Sequence, residues 1–127
     1  MPRRADQRLS DIAEAAKAIV GYVAGMDERA FQGDRKTLDA VLRNLTVIGE
    51  AARHVPDDFR ERFPSVPWVE MGDMRNVVVH EYFGVDVGIL WLTVRRDVPE
   101  LLAALEPVLA AIASEREARG DTRPDRD

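Results

Sequence analysis

The chain has 127 residues, 46% hydrophobic and 32% charged, the make-up of one water-facing globular domain with a modest core. With no cysteine and two histidines, His54 and His80, disulfides and thiolate metal centres are excluded, and no HExxH-type spacing offers a zinc site. The net charge of −5, with a pI near 5.1, argues against a broad basic face for sequence-blind nucleic-acid binding and leaves room for a local basic pocket.

No segment approaches the roughly 20 apolar residues that span a bilayer. The start, Met1-Pro2-Arg3-Arg4-Ala5-Asp6, is not followed by an uninterrupted apolar stretch. A cytosolic, cytoplasmic location is therefore expected, with no membrane partner.

From Ala5 to about Val23, the residues Leu9, Ile12, Ala16, Ile19 and Val23 recur at three and four, which predicts one buried helical face. Gly25 is expected to end this helix. Asp27 is the expected cap of a short turn over 27–31. Asp34 then caps a second long helix, its carboxylate accepting the free amides of the first turn. Leu38, Val41, Leu42, Leu45, Ile48 and Ala52 keep helical spacing there. Gly49, Ala51 and Ala52 are small, so another helix can approach closely. Glu50 lies in the same stretch and could pair with an arginine such as Arg75.

Pro56 stops the second helix, and Pro56-Asp57-Asp58-Phe59-Arg60 reads as a short capped turn. Ser65 and Pro67 predict the start of a helix carrying Trp68 to about His80. Val77, Val78 and Val79 favour a strand by themselves. Their flanks do not alternate, so helix is the prediction. Gly84 breaks this element, and Asp86 begins the last and most apolar helix. Pro99 and Pro107 lie inside it and should kink or interrupt it. The expected organisation is one helical domain over 1–113 and a charged, disordered tail over 114–127. The fold class is all-α, an antiparallel four- to five-helix bundle. The surplus apolar surface of its last helix suggests a homodimer.

Arg75-Asn76-Val77-Val78-Val79-His80-Glu81-Tyr82 carries the chemistry. Arginine presents a fixed fork of donors that suits a phosphate, and histidine can take and give a proton near neutrality. Together they supply what RNA cleavage without a metal needs, so no metal and no cofactor is expected. In an unbroken helix, five residues at about 100° each put Arg75 and His80 about 140° apart. Either the helix ends near His80, or the pocket combines residues from two protomers. Asn76 and His80 share one face, as do Arg75, Val79 and a helical Tyr82. Bland roles compete with these: Trp68 and Phe83 as packing residues, His54 as a surface residue at a helix end, Arg95-Arg96 as a solvated face.

Arg75-x4-His80-x-Tyr82 resembles the Arg-x4-His-x-Tyr motif of the HEPN superfamily of helical ribonucleases. Over about residues 5–110 the chain is similar to the HepT-like toxins of toxin–antitoxin pairs. Ile48-Gly49-Glu50-Ala51, Val66-Pro67-Trp68, Met74-Arg75-Asn76, His80-Glu81-Tyr82-Phe83-Gly84-Val85-Asp86, Trp91 and Val98-Pro99 carry that resemblance. It implies an endoribonuclease whose dimer shares a cleft. Arg75 would bind the scissile phosphate, His80 would transfer a proton, and Asn76 would hold the phosphate or orient His80. It also implies an MntA-like nucleotidyltransferase antitoxin that AMPylates Tyr82. Phosphate and bulk at Tyr82 would repel RNA and block the cleft. A second function class stays open: a non-catalytic helical adaptor that binds a nucleotidyltransferase or a nucleotide.

Overall fold

The apolar spacing becomes a set of helices in the computed structural model, which describes residues 4–82 and 87–120, with side chains at 4–76 and 87–120. The elements are α1 (Ala5–Tyr22), α2 (Glu28–Gln32), α3 (Arg35–Arg53), α4 (Asp57–Arg62), α5 (Trp68–Tyr82), α6 (Val87–Leu92) and α7 (Val98–Ala118). A π-helical turn at Thr93–Asp97 joins α6 to α7. The fold is all-α, as the periodicity predicts, with α1, α3, α5 and α7 as its long helices. Among the described residues no helix is long and apolar enough to cross a membrane.

Two predicted caps form. Asp27 accepts from the Ala30 amide at 2.8 Å, and Asp34 accepts from the Thr37 amide at 3.2 Å. The Thr37 amide, then the Thr37 hydroxyl, holds the Asp34 carboxyl below the ordinary aspartate value of 3.8. A lowered folded value means that the cap stabilises fully above the unfolded value and stops doing so as pH falls through the folded one. Asp34→Ala should therefore melt below the parent at pH 7, and the gap should close on acidification below 3.8. A gap that persists unchanged in acid contradicts the charged cap.

α3 is the centre of the bundle, packing on α1 along one side and α5 along the other, while α1 also packs on α7. The core is Leu9, Ile12 and Ile19 of α1, Val41, Leu45 and Ile48 of α3, Met71 of α5, and Leu101 and Leu105 of α7, all essentially inaccessible. Each such side chain contributes roughly 1.5–3 kcal/mol relative to exposure. The buried Phe31 of α2 meets Trp91 of α6 with ring centroids 5.1 Å apart, which packs these two short helices together.

Two boundaries differ from the sequence expectation. Met71 N–H donates to Pro67 O at 3.0 Å as the first helical bond of α5, so the cap position is Pro67 and not Ser65. The buried Trp68 indole N–H donates to Phe63 O at 3.0 Å and fixes that entry. The interruption expected at Pro99 takes the form of the π turn, while Pro107 does not end its helix. Pro99 has no amide for the carbonyl four residues back, and its ring crowds that carbonyl. The π turn just before α7 shifts the hydrogen-bond register and leaves Pro99 in the first turn of α7, where an amide is dispensable. Pro107 lies inside α7, which continues past it.

The apolar spacing of α7 stops at Ile112, but the helix runs on to Ala118. Glu115 pairs with Arg62 of α4, and Arg116 Nη1 lies 3.9 Å from Asp6 Oδ2 of α1. These partners lie on other elements, so the helical end past residue 113 is tied to the bundle. Residues 121–127 of the expected tail, and the break expected at Gly84, lie outside the described residues.

Candidate active site

The site is built where α5 crosses α3. The helices run antiparallel, with the end of α3 at Arg53 beside Gly72 of α5 and Gly49 beside Arg75. Gly49 is what permits the approach. A Cβ placed there would lie 2.8 Å from Arg75 Cβ, 2.9 Å from Arg75 N and 3.1 Å from Gly72 O. The small-residue stretch in the sequence is thus a close helix contact, and it brings α3 against the root of the Arg75 side chain.

The next residue of α3 meets the other end of that side chain. Arg75 Nη1 forms an ion pair with Glu50 Oε1, the pairing that the sequence left open. Oε1 is closed off from solvent and has no aligned hydrogen-bond donor, so the Arg75 charge balances it without a directional bond. The Arg75 side chain is still 47% exposed, leaving part of its donor fork open to water.

Asn76 is held from the same helix. Arg53 Nε donates to Gly72 O and Arg53 Nη2 donates to Asn76 Oδ1, both at 3.3 Å. Arginine has no acceptor, so the Asn76 atom that faces it must be the oxygen. The amide NH₂ of Asn76 then points away from Arg53 with two donors to offer. Sequence reasoning missed Arg53. Its signal was register: it stands four residues after Gly49 and three after Glu50, on the face that meets α5.

The backbone of α5 stays helical through Tyr82, so the helix does not end before His80. The β-branched run at 77–79 is absorbed, since its helix penalty is about 0.5 kcal/mol per residue or less and α3 fixes α5 just upstream. Positions 75 and 80 are therefore about 140° apart around one axis, while 76 and 80 follow one another on one face. The expectations for the His80 and Tyr82 side chains lie outside the described residues.

The remaining polar candidates have structural partners. His54 closes α3 as an exposed residue, its Nδ1 2.8 Å from Glu50 O. The Arg95 guanidinium lies over the Trp91 ring at 5.4 Å, and Arg96 sits 4.0 Å from Asp97. Among the described residues no group of three or more His, Cys, Asp or Glu side chains is placed to hold a metal ion.

A model of the family described as ribonuclease HepT-like matches residues 12–108, which takes in α3, α5 and the whole contact between them. The chain belongs to the HepT-like ribonuclease family. It is 43% identical over 106 residues to a probable ribonuclease HepT of Thermococcus cleftensis, covering 84% of this chain and 96% of that one. It is 42% identical over 100 residues to a Methanocaldococcus jannaschii protein named "putative RNase", covering 79% of this chain and 92% of that one. No solved structure gives a significant match. In this HepT-like chain the family match contains Glu50, Arg53, Arg75, Asn76, His80 and Tyr82, and stops before the charged end of α7.

Proposed function

We propose that the protein is a metal-independent endoribonuclease, the toxin of a toxin–antitoxin pair, acting on RNA as a homodimer in the cytoplasm. Family membership supports the reading, and the observation that carries it is Arg75: a guanidinium rooted by Gly49, held by Glu50 and still half open to solvent. Arg75 binds the scissile phosphate and stabilises charge on it. His80 takes the proton of the 2′-hydroxyl, O2′ attacks phosphorus, and the 5′-oxygen leaves with a proton returned to it. The products are a 2′,3′-cyclic phosphate and a 5′-hydroxyl, with no net change in protons. Asn76 donates to the phosphate from an amide that Arg53 orients.

With α5 helical through Tyr82, residues 75 and 80 of one chain diverge around the axis. A cleft shared by two copies brings the Arg75 face of one to the His80 face of the other. Ile89 and Leu92 of α6, half exposed just beyond the motif, supply apolar surface for that association. Expression tests the reading: growth arrest should require both Arg75 and His80, and arrest by the His80→Ala protein would sink it.

Neutralisation follows from Tyr82. A nucleotidyltransferase antitoxin, the MntA-like partner, joins AMP to the phenolic oxygen, with a nucleoside triphosphate as donor and pyrophosphate leaving. The added phosphate repels RNA. Co-expression with the antitoxin should yield protein carrying AMP on Tyr82 by mass spectrometry. Tyr82→Phe should carry none and keep its toxicity. A Tyr82→Phe protein neutralised as fully as the parent would mean control by binding instead.

A further inference from the structure

We propose that Glu50 is a positioning residue for Arg75, its charge drawing Nη1 towards α3 so that the opposite edge of the guanidinium faces the RNA phosphate. The inference rests on the ribonuclease reading above. It starts from how consecutive residues of α3 meet Arg75 at both ends of its side chain. Gly49 lets α3 approach the root of the Arg75 side chain, and Glu50 engages Nη1. With the two side chains 47% and 41% accessible, though Oε1 itself is closed off, the pair adds little to stability. Its consequence is geometric. An arginine tied through Nη1 keeps the Nε–Nη2 edge, the planar fork that takes two phosphate oxygens. That edge has no partner among the described residues.

The same helix does the corresponding thing to the next motif residue, since Arg53 holds the Asn76 oxygen and turns its amide donors outward. α3 thus engages two adjacent polar residues of α5, Asn76 through a hydrogen bond and Arg75 through charge. A mask, in which Glu50 competes with phosphate for Arg75, is the alternative role for the same contact. It needs the carboxylate to cover the Nε–Nη2 edge, whereas the ion pair is made at Nη1.

The test compares the parent, Glu50→Gln, Arg75→Lys and the double variant in single-turnover RNA cleavage and RNA binding. Arginine side-chain ¹⁵N NMR follows the Arg75 Nε–H directly. Glu50→Gln should slow cleavage about 10- to 100-fold, the cost of a misaimed group. The Kd for RNA should stay within about 3-fold, because the charge that binds phosphate remains. Tm should not change, and the Arg75 Nε–H should lose order. In the Arg75→Lys background Glu50→Gln should cost little more.

An unchanged rate, an equal loss in both backgrounds, or a loss matched by a lower Tm would each overturn the proposal. Tighter RNA binding at an undiminished rate would overturn it in favour of the mask. A parent that leaves RNA intact defeats the ribonuclease reading instead. The NMR then still decides the contact, since an Arg75 equally ordered in Glu50→Gln refutes it.

Discussion

His80→Ala is expected to lower RNA cleavage about 10²–10⁴-fold, the usual worth of a positioned general acid–base group. Arg75→Ala should cost about 10²–10³-fold, comparable to removing one donor from a preorganised oxyanion site. The two losses should differ in kind. His80→Ala should leave RNA affinity near that of the parent. Arg75→Ala should weaken it as well, because in the proposed role this half-exposed guanidinium contacts phosphate in the ground state too. In the proposed mechanism the pair acts on one phosphorus, so the double variant should be little worse than the poorer single one. Losses that simply multiply would mean that the two residues serve separate steps. Mixing the two single variants gives a further check on the shared cleft. Heterodimers with one intact composite site should regain part of the activity, whereas sites made within single chains would regain none.

Gly49→Ala should carry the largest loss of stability for one added methyl group. Its Cβ would press on Arg75 Cβ at 2.8 Å and on two backbone atoms of α5, at 2.9 and 3.1 Å. No flexible side-chain end can move aside, so α5 must retreat from α3. The expected cost is about 1–3 kcal/mol, typical of overpacking, read as a lower urea midpoint at unchanged m. Cleavage should fall further than the unfolded fraction explains, because the retreat carries Arg75 with it and a shift of about 1 Å can cost about 10²-fold. Gly21 is the control. It also lies in a helix, but nothing stands within 4 Å of its Cβ position. Gly21→Ala should stabilise by about 0.5–1 kcal/mol through backbone entropy. The opposite sign at Gly49 would then be a property of the crossing. Equal effects at the two glycines would contradict the close approach.

Much of this was legible in the residues. The three-four spacing of Leu9, Ile12, Ala16 and Ile19 marked a buried face, and all four are buried. Asp27 and Asp34 were caps by residue type and offset, and both accept the predicted amide. Gly49, Ala51 and Ala52 announced a close helix neighbour without saying which; the partner is a tertiary fact, fixed by how α5 folds back. The Glu50–Arg75 pair was for that reason a possibility in the sequence and a contact in the structure. Arg53 was invisible because one exposed arginine near a helix end has many uses, and only Gly72 and Asn76 across the crossing select one. The π turn was legible only as a disturbance around Pro99. A proline says that a bond is missing and leaves open how the backbone absorbs the loss. The end of α7 was misplaced because apolar periodicity stops at Ile112, while the last turns are tied by charge to Arg62 and Asp6.

The most direct measurement is incubation of the purified, unmodified protein with end-labelled RNA in excess chelator, beside His80→Ala. The account predicts cleavage by the parent, with 2′,3′-cyclic phosphate and 5′-hydroxyl ends, and intact RNA with the variant. RNA left whole by the parent, or cut equally by both proteins, would contradict it.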